Sequence, residues 1–105
     1  MAEKIKSIEI KGKKYSVWGG YYALEKFELI TGLGADKVTS NVTCSVTFTW
    51  CSMWAGAKMQ EEEFEVSLDD FKAMVNEDMS ILTQAKEEEA DSKKPKLAVA
   101  SQPED

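Results

Sequence analysis

Apolar and polar residues alternate in part through Lys-Ile-Lys-Ser-Ile-Glu-Ile at residues 4–10, the period-two pattern of a half-buried strand. Lys11-Gly12 follows as a two-residue turn, and Lys13 to Trp18 forms the return strand. With that turn, Ile8 faces Tyr15, Ile10 faces Lys13, and Glu9 faces Lys14 as an opposite-charge pair. Ile8, Ile10, Tyr15 and Val17 then share one face. A lone hairpin is marginal in water, so this one needs helices to pack on.

After Gly19-Gly20 the period changes. Leu24, Phe27 and Ile30, widened by Leu29, predict a helix from Tyr21 to Thr31 with Gly32 as its left-handed cap. Leu33 to Ser40 is expected to be a loop or short turn. Asn41 is a cap for a second helix running from about Val42 to Met59. Val42, Thr43, Val46, Thr47 and Thr49 are β-branched and pull this stretch toward a strand. The longer stripe of Val42, Val46, Trp50, Met53, Trp54 and Ala57 favours the helix. Gln60 to Glu65 is an acidic linker around Phe64. Ser67, with Asp69 and Asp70 in the following turn, starts a third helix whose apolar face is Leu68, Phe71, Met74 and Val75. Asn76-Glu77-Asp78 interrupts it before Met79, Ile81, Leu82 and Ala85 continue an apolar face on a last helix.

Apolar periodicity fades after Ala85, and from Glu87 the charged, proline-containing composition cannot bury enough surface to fold. The expected organisation is a single small globular domain over residues 1–88 and a disordered charged tail over 89–105. Its fold class is α+β, mainly α: an N-terminal β-hairpin packed on three to four helices.

Charge narrows the function. The chain holds 19 acidic residues against 13 lysines, with no Arg and no His, for a net charge of −6. Nucleic-acid binding relies on concentrated positive charge and Arg forks, so nucleic acid is not an expected partner. No apolar run approaches the ~20 residues of a membrane span, so no membrane role is expected. Met-Ala-Glu-Lys at the start has no apolar signal region, and export is not expected.

Catalytic chemistry is poorly supplied. Without His the commonest acid–base group is missing, and Cys44 or Cys51 would lack its usual activating partner. On a helix these thiols lie about 10 Å apart along the axis, too far for a disulfide, and two thiols do not make a zinc site. Glu61-Glu62-Glu63 and Glu87-Glu88-Glu89 read as solvated carboxylate runs rather than cation sites. Gly19-Gly20 and Gly32-Leu33-Gly34 lack the phosphate-binding patterns. The expectation is no enzyme, no cofactor and no metal.

Aromatic residues are what remains. Trp18, Tyr21, Tyr22, Trp50 and Trp54, with Met53 and Met59, are a dense set for a small chain. Tyr21 and Tyr22 point about 100° apart on a helix, so at most one faces the core centrally. Aromatics and Met are enriched where proteins bind proteins. Tyr22, Trp50, Met53 and Trp54 are therefore the candidate binding residues, with burial in the core as the competing reading.

The hairpin Ile8-Glu-Ile-Lys-Gly-Lys-Lys-Tyr15, the segment Ala23-Leu-Glu-Lys-Phe-Glu-Leu-Ile-Thr-Gly32, the Trp54-Ala-Gly56 block and the Ser67-Leu-Asp-Asp-Phe71 start resemble the tail assembly chaperones of long-tailed bacteriophages and prophages. The likeness covers about residues 8–90 and departs from the family pattern at Val42 to Thr49 and at Gly19-Gly20. It implies a non-enzymatic protein of the bacterial cytoplasm, absent from the mature virion. Such a protein keeps the tape measure protein soluble and helps recruit tail tube subunits. Those two proteins are the implied partners; self-association is left open. Two other readings stand beside it: a structural tail or connector protein of a phage, and a small acidic adaptor or inhibitor of a host protein.

Overall fold

The computed structural model describes residues 6–84. Strands β1 (Lys6–Ile10) and β2 (Lys13–Val17) pair antiparallel with Ile8 opposite Tyr15, Glu9 opposite Lys14 and Ile10 opposite Lys13, the register read from the alternation. Lys11 and Gly12 both take positive φ, 52° and 83°, as the twist-matched two-residue turn requires. Ile8 and Ile10 are buried, and Tyr15 and Val17 pack half-buried beside them.

Helix α1 (Tyr21–Thr31) ends at Gly32 in the left-handed conformation, as expected. The stretch expected to be a loop contains one 3-10 turn, Ala35–Lys37. Helix α2 (Val42–Gln60) then settles the helix-or-strand question at residues 42–49 in favour of helix. The Asn41 cap favours the helix start, and a Thr hydroxyl inside the helix is satisfied by its own backbone. Asn41 accepts from the Cys44 amide at 2.9 Å, and the Thr49 hydroxyl donates to the Ser45 carbonyl at 2.8 Å.

The Glu62 amide reaches back to the Ala57 carbonyl and reverses the chain, with Glu61 left-handed at φ 58°. Helix α3 (Leu68–Glu77) starts at Ser67, whose side chain accepts from the Asp70 amide, and stops before Asp78 as the sequence suggested. Asp78 then accepts from both the amide and the hydroxyl of Ser80, restarting a helical segment over 80–84. Those two bonds hold the Asp78 carboxyl below its ordinary pKa.

Helix α2 is the organising element because it is buried on two opposed faces. One face, with Val46 and Met53, packs against Ile8, Ile10, Phe71, Val75 and Ile81. The other, with Cys44, Phe48, Cys51 and Ala55, packs against Ala23 and Phe27 of α1, the rings of Phe27 and Phe48 meeting edge to face at 6.0 Å. Fully buried side chains such as Phe27, Phe71 and Met53 each contribute about 1.5–3 kcal/mol through removal of apolar surface from water.

This arrangement corrects parts of the expected stripes. Val42, expected on the apolar stripe of α2, is 64% exposed and lies at the edge of a cavity at the start of the helix. Leu29 and Ile30, expected on the apolar face of α1, are 77% and 43% exposed; Phe27 of that face is buried as expected, and Ala23 joins it in the core. On the last helix Met79 is exposed, while Ile81 is buried. The α+β, mainly α class stands, with the hairpin packed on helices. The expected tail over 89–105 lies outside the described residues.

Candidate functional site

Helix α2 touches neighbours on most of its circumference, and a narrow strip along it beside α1 stays partly open. Thr43, Trp50, Trp54 and Lys58 recur at intervals that keep them on one side of a helix, and each retains exposure. One wall of the strip is α1, which contributes Tyr22 and Lys26. The other is the linker after α2. The Trp50 indole donates to the Val66 carbonyl at 2.8 Å, and its ring centroid lies 5.9 Å from that of Phe64.

Two lysines interleave with these rings. The Lys26 ammonium lies 4.4 Å from the Trp54 ring centre and 6.0 Å from that of Trp50. The Lys58 ammonium lies 5.1 Å from the Tyr22 ring centre and 5.7 Å from that of Trp54. Each lysine therefore reaches across to the opposite helix, which ties α1 to α2 through charge–quadrupole attraction. Tyr21, 70% exposed, extends the aromatic surface by meeting Tyr22 edge to face at 6.0 Å.

Three of the four residues singled out from the sequence are brought together here: Tyr22, Trp50 and Trp54. Met53 is not. Its side chain has no exposure and belongs to the cluster with Ile8 and Phe71, so it cannot meet a partner and its role is core packing. Met53 and Trp54 are adjacent in the chain, and the 100° step between neighbours sends one inward and the other out. Lys26 and Lys58 escaped the sequence reading. The available signal was the four-residue spacing from Tyr22 to Lys26 and from Trp54 to Lys58, which marks lysines on aromatic helix faces.

The thiols do not add a reactive centre. Cys44 and Cys51 are free and buried, and burial pushes the Cys51 thiol up to about 12 against the partial opposition of Lys26. A protonated buried thiol is a poor nucleophile. Among the described residues no group of three acidic, thiol or imidazole side chains is placed to hold a metal ion, and no helix is long and apolar enough to cross a membrane. A cavity of about 300 Å³ lies at the start of α2, among Val38, Val42, Ser45, Phe48, Thr49 and Leu82. Its described lining carries no titratable side chain.

Comparison with protein-family models, with curated proteins and with solved structures gives no match to this chain.

Proposed function

We propose that this protein is a non-enzymatic tail assembly chaperone of a long-tailed phage or prophage. It acts in the bacterial cytoplasm, keeps the tape measure protein soluble and helps recruit tail tube subunits. The observation that carries the reading is the partly exposed strip of Tyr22, Trp50 and Trp54, on a side of α2 that its neighbours leave partly open. Rigid aromatic side chains offer large apolar contact area at small entropic cost, which suits a succession of apolar helical segments. The motif likeness in the hairpin, α1, Trp54-Ala-Gly56 and Ser67–Phe71 supports the same reading. The net charge of −6 keeps a loaded complex soluble through mutual repulsion.

Co-expression with a long helical tape measure protein tests the proposal. The long protein is expected in the soluble fraction only when this chain is present, and Tyr22→Ala combined with Trp54→Ala reduces that fraction. Equal solubility without this chain overturns the function. Full rescue by a normally folded double variant leaves the function standing and moves the binding face elsewhere.

A further inference from the structure

The aromatic strip has a charge pattern that an apolar partner alone does not explain. Lys26 comes from α1 and Lys58 from α2, yet their ammonium groups lie 4.4 Å and 5.7 Å from the centre of the same Trp54 ring. Among the described residues neither lysine takes part in an ion pair. A segment seated on Trp54 and Tyr22 has to cover these ammonium groups or push them aside. Covering them strips water from a charge, which opposes docking unless an opposite charge replaces that water. The rings cannot offer the same face both to a lysine and to an incoming apolar side chain.

The neighbouring acidic linker does not reverse this argument. Glu61, Glu62, Glu63 and Glu65 are exposed and keep their water, so their influence on a bound segment is screened. Lys26 is already half-buried in the strip.

We propose that the strip of Tyr22, Lys26, Trp50, Trp54 and Lys58 docks an amphipathic helical segment with carboxylates beside its apolar seam, paired to Lys26 and Lys58. The inference rests on reading the strip as a binding surface and adds the chemistry of what binds there. From Trp50 to Lys58 the helix rises about 12 Å, so the contact covers about two turns of the partner. Carboxylates one or two turns apart on the partner reach both lysines. The chain's overall charge of −6 opposes an acidic partner at a distance. That repulsion fades beyond a Debye length of about 8 Å in physiological salt, whereas the two lysines act at contact.

The test titrates the full-length chain with two synthetic helical peptides of about 18 residues sharing one leucine seam. One carries Glu and the other Lys at the positions flanking the seam, and the indole N–H resonances of Trp50 and Trp54 report binding. The Glu peptide is expected to shift both resonances and to bind roughly tenfold more tightly than the Lys peptide. Lys26→Met with Lys58→Met is expected to remove that preference. Lys58→Met alone, at an exposed position, reduces it in the same direction and serves if the double variant unfolds. Equal affinities, or tighter binding of the Lys peptide, overturn the charge pairing and leave the aromatic docking surface in place. No shift with either peptide overturns the docking surface itself, a result separable from the co-expression outcome.

Discussion

Gly56 of α2 lies directly under the main chain of Ser16 in β2. A Cβ at that position would overlap the Ser16 carbonyl and come within 2.6 Å of the Val17 nitrogen. The hairpin is thus laid on the helix backbone to backbone, and the Trp18 amide completes the contact by donating to the Ser52 carbonyl at 2.9 Å. Gly in the Trp54-Ala-Gly56 block is a packing requirement. It fixes the hairpin against the helix that also presents Trp54.

Two effects oppose each other in Gly56→Ala. Alanine is the better helix former by about 1 kcal/mol. The clash is with main chain, which cannot swing aside, and overpacking of this kind costs about 1–3 kcal/mol or more. The clash wins, and urea unfolding is expected to show a net loss of about 1–2 kcal/mol. A gain in stability would mean that the hairpin slides over α2 without cost.

Met53 and Tyr22 separate core from surface. Met53→Ala empties a fully enclosed site and is expected to cost about 2–5 kcal/mol. Tyr22→Ala, at a position 38% exposed, is expected to cost less than about 1 kcal/mol. Thermal or urea unfolding of both variants checks the pair. Comparable losses would place Tyr22 in the core and remove it from the binding strip.

The two strip tryptophans differ in their polar ends. Trp50→Phe deletes the bond to the Val66 carbonyl and is expected to cost about 1 kcal/mol, and more if that carbonyl is left without water. It should also speed cleavage by a glutamate-specific protease in the linker, at Glu61 to Glu65. Trp54→Phe keeps a ring for the lysines and is expected to stay within about 0.5 kcal/mol of the parent. Equal protease sensitivity in the two variants would show that the indole bond does not hold the linker.

Cys51 gives stability a defined alkaline limb. Its thiol titrates near 9.0 when exposed and at about 12 in the fold because burial disfavours the thiolate. Below pH 9 both states keep the proton and the contribution is complete; as pH rises toward 12 the unfolded chain loses its proton first and stability falls. Cys51→Ala should flatten that limb in urea titrations run at stepped pH. At pH 8 a thiol reagent is expected to label Cys51 only as fast as the protein opens, and immediate labelling of the native protein would place the thiol at the surface.

Much of the fold was legible along the chain because its signals are local. A period of two and the Lys11-Gly12 turn determine the hairpin register, since slipping one residue would turn Ile8 and Ile10 outward. Asn41, Ser67 and Gly32 mark helix ends through bonds made within a few residues of themselves. An interruption was expected over Asn76 to Asp78; Asn76 and Glu77 remain in α3, and the break falls at Asp78.

The tertiary structure decided what those signals leave open. Periodicity tells which residues share a helix face, and a helix with one apolar stripe reveals its buried side by contrast. Helix α2 offers no such contrast: Val46 and Met53 on one side and Phe48 and Cys51 on the other are all apolar, and both sides are enclosed. Only the positions of α1, α3 and the hairpin around it determine that Met53 is core and Trp54 is surface. The same holds for Lys26 and Lys58, whose ring partners lie across the interface between α1 and α2. Local sequence determined the elements because their bonds span a few residues; the strip is a gap between elements, and a gap exists only once its walls are assembled.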